Sequence, residues 1–271
     1  MKTSFQQMRL APAFVKYALC TLGLALLGCT PVQAQPVQSL ILVQRSTSPP
    51  SGQLNEPLIF NAPPPPPDIG KPQTTTGGGS RSCGSEAQEN QCVPSEEKPL
   101  IALIPETGWG LTTAELPTLW FYVPYSSSLS GEFVLMDEAD QTVYQTPFTL
   151  TGTPGVISLT LSSKAAWLET GKRYHWYFYI YSQPEQPPLF VEGWIQRVEL
   201  NPAVKTQLEK ATPQERVALY ADNGIWHDAL TASAELRRTD PENNDWAALL
   251  QAIGRDDVAS EPIVECCQPG N

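Results

Sequence analysis

From Pro99 onward, short runs of β-branched and aromatic residues alternate with turn-forming residues, and this pattern predicts strands. The runs are Leu100 to Ile104, Thr118 to Val123, Glu132 to Met136, Thr142 to Gln145, Val156 to Leu161, Arg173 to Tyr181 and Leu189 to Val198. Turn residues separate them, as at Pro124 to Gly131, Asp137 to Gln141, Gly152 to Gly155 and Gln183 to Pro188. No gap is long enough for a helical crossover, so residues 98–200 are expected to form an antiparallel β-sandwich rather than a parallel sheet.

One local pattern narrows this to an immunoglobulin-like sandwich. Leu168, Gly171, Tyr174 and Trp176 follow the spacing L-x-x-G-x-x-Y-x-W that places a tyrosine corner at the start of a long strand. Alternation then turns Tyr174, Trp176, Phe178 and Ile180 toward the core, and His175, Tyr177, Tyr179 and Tyr181 away from it. An outward face this aromatic is expected to be covered by a neighbouring strand, a loop or the C-terminal helices. The alternative is a face that stacks on a ligand.

After Asn201 the apolar period becomes helical. Pro202 opens one segment, and Thr212-Pro213-Gln214-Glu215 reads as a capping box that starts a helix ending near Asn223-Gly224. Ile225, Trp226, Ala229, Leu230 and Leu236 form the next apolar stripe. Asp240-Pro241 starts a last helix with Trp246, Leu249, Leu250 and Ile253 before Gly254. The result is a small C-terminal α-helical hairpin over residues 201–254, packed on the sandwich and followed by a flexible tail, 255–271. Gly224, Trp226, Ala229, Leu230 and Pro241 are spaced like half of a tetratricopeptide repeat. A stable solenoid needs about three such units, so the hairpin is expected to lean on the sandwich.

The amino terminus has the layout of an export signal. Lys2, Arg9 and Lys16 precede or flank an apolar run from Tyr17 to Leu27, and no acidic residue occurs before Ala34. The run is about a dozen residues, short of the roughly 20 that span a bilayer, and no later segment is apolar enough to span. Cleavage after Ala34 makes residues 1–34 a signal peptide; cleavage before Cys29 makes 1–28 a lipoprotein signal and Cys29 the lipidated residue. Either outcome places the chain in the periplasm or outside the cell. Residues 35–97, with five prolines from Pro63 to Pro67 and three glycines from Gly77 to Gly79, read as a disordered tether.

Composition then removes whole classes of partner. With 17 Lys+Arg against 28 Asp+Glu the chain carries a formal charge of −11, which argues against nucleic acid and anionic lipid. An oxidising compartment favours disulfides, and Cys83 and Cys92 bracket a polar loop short enough to bridge locally. Cys266 and Cys267 are adjacent, and the strain of an eight-membered ring favours free thiols or intermolecular partners there.

These placed segments resemble a family of secreted cyanobacterial proteins classed only as a domain of unknown function. The resemblance rests on Gly77-Gly78-Gly79-Ser80-Arg81 before Cys83, on Cys92, on Leu100 to Glu106, and on Pro117 with Trp120-Phe121-Tyr122-Val123-Pro124. It covers residues 77 to 253, implies the Cys83 to Cys92 bridge and an envelope location, and implies no activity.

Catalytic signatures are missing. There is no G-x-S-x-G, H-E-x-x-H, Walker loop or dinucleotide fingerprint, and the two histidines, His175 and His227, sit in no motif. Glu106, Asp137, Glu138 and Glu192 are carboxylates that a fold could bring together. No cofactor or metal is implied. The leading expectation is a non-catalytic protein-binding or scaffold module of the envelope, using Trp109, Trp120, Tyr177, Tyr179, Tyr181 or Trp226 as interface anchors. A carbohydrate-binding module for cell-wall polysaccharide or exopolysaccharide, stacking sugars on Tyr177, Tyr179, Tyr181, Trp120 or Trp109, is the first alternative; a weak hydrolase is the second.

Overall fold

The computed structural model describes residues 58–70, 72, 74–77, 98–162, 167–183 and 185–269. The expected signal peptide, Cys29, Cys83 and Cys92 lie outside them. Among the described residues ten strands form two sheets, and four helices lie between the ninth strand and the tenth. The strands are β1 (Thr76–Gly77), β2 (Leu100–Ala102), β3 (Trp109–Thr112), β4 (Thr118–Val123), β5 (Ser130–Met136), β6 (Thr142–Thr149), β7 (Gly155–Thr160), β8 (Arg173–Tyr181), β9 (Leu189–Arg197) and β10 (Gln268–Pro269). The helices are α1 (Pro202–Lys210), α2 (Pro213–Asp222), α3 (Trp226–Thr239) and α4 (Asp245–Ala252).

One sheet has the order β1-β2-β4-β7 and the other β10-β6-β5-β8-β9-β3. They meet through Phe121 of β4, which stacks on Phe178 of β8 at 4.1 Å and meets Trp176 edge-on at 5.7 Å. Alternation on β8 is as the pattern predicts: Tyr174, Trp176, Phe178 and Ile180 are all buried. Gly193 of β9 lies opposite Trp176, and a Cβ there would sit 2.5 Å from the indole, so the thickness of the core at this point requires glycine. Nearly all ladders are antiparallel, but β3 pairs parallel to β9, against the expectation of a wholly antiparallel sandwich. The parallel strand is reached by the chain crossing from β2 in one sheet to the far edge of the other.

Tyr174 holds the turn that leads into β8. Its hydroxyl accepts the Glu169 backbone N–H at 3.1 Å, five residues upstream, while its ring is buried. Tyr174→Phe leaves that N–H without its partner, so it should lower folding stability by about 1 kcal/mol. A denaturant midpoint equal to that of the wild type would show that the hydroxyl does not hold the turn.

The helices start where capping chemistry places them. Thr212 accepts from the Glu215 N–H and the Glu215 carboxylate accepts from the Thr212 N–H, closing the capping box, and Pro213 occupies the first turn. Gly224, at φ 72, ends this turn, and a Cβ there would meet the Asn61 carbonyl at 2.7 Å. The last helix starts at Asp245 rather than at Asp240-Pro241, because the segment after Pro241 is a turn in which Asn243 accepts the Asp245 N–H.

Helices α3 and α4 pack against the face of β4 turned away from the other sheet. Trp120 donates its indole N–H to Thr231 and meets the Trp246 ring at 5.7 Å. Trp226 donates to the Leu103 carbonyl at 2.8 Å. Strand β4 is therefore buried on both faces, which accounts for its unbroken apolar run.

Two segments expected to lack structure are part of the fold. Within the expected tether, residues 58–70, 72 and 74–77 form a strap: Phe60 packs edge-on against Trp226 at 4.8 Å, and the Asn61 N–H donates to the Ala221 carbonyl. Asp68 pairs with Arg173 at 2.8 Å. Further on, the Thr74 carbonyl accepts the Glu192 N–H of one sheet and the Thr75 carbonyl accepts the Ala102 N–H of the other, so the strap joins the two layers. Its few apolar and hydrogen-bonding anchors are spaced widely enough to escape a compositional reading. The expected flexible tail is corrected likewise. Val258 is buried, the Val264 N–H donates to Val156, and β10 pairs with β6. Cys266 and Cys267, expected as free thiols or intermolecular partners, are paired with each other, with Cys267 at φ 71.

Candidate functional site

The outward face of the six-stranded sheet carries one continuous row of aromatic rings. Register places Trp194 of β9 beside His175 of β8, Glu192 beside Tyr177, and Phe190 beside Tyr179. Trp194 stacks on His175 at 4.4 Å and 10°, His175 meets Tyr177 at 4.4 Å, and Tyr177 stacks on Tyr179 at 5.6 Å and 8°. Phe190 fills the side of the row at 5.6 Å from Tyr179. These rings are half-buried by one another, and Tyr181 at the end is 40% exposed. The expected cover by the C-terminal helices is not there, since α3 and α4 lie against β3 and β4 instead.

A buried carboxylate runs beneath the row. Glu192, only 5% exposed, places Oε2 2.9 Å from His175 Nε2, within ion-pair distance though not along the N–H direction of a hydrogen bond. The Tyr177 hydroxyl lies 3.2 Å from His175 Nδ1. Burial first, and then the Glu192 charge, push the Tyr177 hydroxyl up to about 12. Burial followed by Glu192 raises Tyr179, and burial followed by Glu132 raises Tyr181. At neutral pH all three therefore stay protonated, able both to donate and to accept. Glu132 is held at the rim by Gln145 at 2.7 Å and by the Tyr181 hydroxyl at 3.3 Å.

The structure separates the six expected anchors into two groups. Tyr177, Tyr179 and Tyr181 share this face. Trp109, Trp120 and Trp226 are 3%, 3% and 0% exposed and cannot anchor a partner; two-sided burial of β4 and of the α3 start leaves no alternation to betray the burial of Trp120 and Trp226, and the four residues of β3 show none for Trp109. The four expected carboxylates have separate surroundings. Asp137 accepts the Ala139 and Gln141 N–H groups of its own turn, Glu138 is paired with Arg173, Glu192 is under the aromatic row, and Glu106 lies in the β2–β3 loop near Gly254.

A second cluster of polar groups lies where α3 meets β3. Asp228 accepts from the Thr112 hydroxyl at 2.7 Å and from the Thr113 N–H and hydroxyl, fastening the loop after β3 to the first turn of the helix. Burial pushes its carboxyl above the usual range while the threonine donors pull it back. His227 beside it is buried against Gly110, its Nε2 has no hydrogen-bond partner, and burial lowers it to about 3. Both border a cavity of about 250 Å³ that also touches Arg216, Tyr220 and Thr231. These contacts join elements of the fold.

The sequence reading passed over Trp167, the most exposed tryptophan at 57%. Its signal was a lone indole immediately before the buried Leu168, outside any alternating run. Among the described residues no cluster of three or more His, Cys, Asp or Glu could hold a metal ion, and no helix is long and apolar enough to cross a membrane.

A family model described as Domain of Unknown Function (DUF928) matches residues 76–263, from β1 into the packed tail. No curated protein and no solved structure matches the chain.

Proposed function

We propose that this chain, which belongs to the DUF928 family of domains of unknown function, is an exported, non-catalytic docking module of the cell envelope that binds a partner protein through the outer face of its six-stranded sheet. The observation that carries the reading is the row from Trp194 to Tyr181, which no helix among the described residues covers, half-buried and tipped with hydroxyls that stay protonated. Tyrosine and tryptophan offer large contact area with few side-chain torsions to freeze, which is why they concentrate at protein interfaces. The ring faces of this row are spent on one another, so the row presents rims and hydroxyls, which suit the backbone and side-chain groups of a protein better than the face of a sugar. Export is supported by the basic and apolar leader up to Ala34, with lipidation at Cys29 as the variant outcome.

The fold reading that accompanies this role is an immunoglobulin-like sandwich bearing a tetratricopeptide-like helix pair, α2 and α3. It is supported by the Tyr174 hydroxyl contact and by Gly224 between the two helices.

The test is photo-cross-linking in the intact envelope, with p-benzoylphenylalanine placed at Tyr181 or, as a comparison, at the exposed Arg238 of α3. A single protein adduct is expected from position 181, absent from position 238 and removed when Tyr179→Ala is added. Adducts from both positions, or from neither, would overturn the docking reading.

A further inference from the structure

We infer that the pocket beside Trp167 is a binding site for a neutral polysaccharide, separate from the docking face and independent of it. The pocket, of about 360 Å³, lies between the β5–β6 turn and the turn leading into β8, with Val143 and Tyr174 on its wall. The indole of Trp167 is 57% exposed, and among the described residues no ring stacks on it. This contrasts with the β8 row, where His175 stacks on Trp194 and Tyr177 on Tyr179. Tryptophan is rarely left this exposed, because its large apolar surface gains by leaving water. A free indole face in a concavity with a few polar groups is the arrangement of a ligand site.

The charges select the ligand. Glu169 and Lys172 flank the indole across the tight turn in which the Lys172 N–H donates to the Glu169 carbonyl, and both side chains are exposed. Neither takes part in a salt bridge among the described residues. The remaining charges on the wall are engaged: Glu138 pairs with Arg173, and Asp137 accepts backbone N–H groups of its own turn. The open groups are thus one acceptor and one donor of opposite sign beside an apolar face. An anion or a cation would be attracted by one and repelled by the other, whereas a pyranose satisfies all three. Its C–H face lies on the electron-rich indole, and its hydroxyls donate to Glu169 and accept from Lys172.

The experiment is native affinity electrophoresis of the whole chain through gels containing hydroxyethyl cellulose, xylan or pullulan, with dextran sulfate as the charged comparison. At least one neutral polymer should retard the wild type, and Trp167→Ala should weaken that retardation at least tenfold while Trp167→Phe keeps part of it. Tyr179→Ala should behave as wild type, which separates this site from the docking face. Glu169→Ala gives a second test in case the indole variant misfolds, because the Tyr174 hydroxyl contacts only the backbone of Glu169. Retardation by none of the neutral polymers, by dextran sulfate alone, or undiminished in both variants would overturn the assignment. Cross-linking from Tyr181 should be unchanged in Trp167→Ala, so failure of either reading is seen without the other.

Discussion

Replacing Trp226 by alanine should cost about 3–5 kcal/mol of folding stability, a large fraction of the roughly 5–15 kcal/mol available to a domain. Three losses add at one position. The indole is fully buried, so its removal opens a cavity that the surrounding strands and helices fill only in part. The Leu103 carbonyl, buried behind it, loses the indole N–H. Phe60 loses the ring against which it packs edge-on, and with it the anchor of the strap. Urea unfolding followed by circular dichroism measures the total, and limited proteolysis near residues 58–70 measures the strap. Trp226→Phe keeps most of the volume and should recover more than half of the loss. A midpoint within experimental error of the wild type for the alanine variant would mean that the helices do not depend on this residue.

Acidification should destabilise the protein through His227. Its folded-state value is about 3 against an ordinary 6.5, so between those limits the unfolded chain takes up a proton that the folded one refuses. The stability that comes from keeping this ring neutral is fully present above pH 6.5 and falls by about 1.4 kcal/mol for each pH unit below it. Asp228, the next residue, works in the opposite sense. Its raised carboxyl contributes stability that is lost as pH rises from the ordinary carboxylate range through its folded value. The two groups thus oppose each other in the wild-type slope on the acid side. Asp228→Asn should steepen the loss on acidification, and His227→Gln should reduce it. Thermal midpoints of the three proteins between pH 4 and 7 decide this, and parallel curves would remove both groups from the account.

Much of this fold could be read from residue pattern because its signals are local. Strands β4 and β8 have the predicted bounds, and the Thr212 to Glu215 box starts its helix as written. What escaped was set by contacts distant in sequence. Strand β3, Trp-Gly-Leu-Thr directly after Gly108, has no alternation of its own and exists because β9 offers a parallel edge. Residues 58–77 are prolines and small polar residues for most of their length. Phe60, Asp68, Thr74 and Thr75 matter only once Trp226, Arg173, Glu192 and Ala102 have been brought to them. The candidate site divides in the same way. The outward tyrosines follow from the period of a strand, whereas the burial of Trp109 and Trp120 and the exposure of Trp167 depend on where helices and turns come to rest.

The strap also decides how the domain takes a mechanical load. Tension arriving along the chain from the amino-terminal side enters at Phe60 and Asn61, against α2 and α3, and not at the first residue of a sheet. It pulls successively on a ring contact, an ion pair at Asp68 and two main-chain hydrogen bonds at Thr74 and Thr75 before β1 bears it. The strap's contacts therefore lie ahead of the two sheets on the path of such a load.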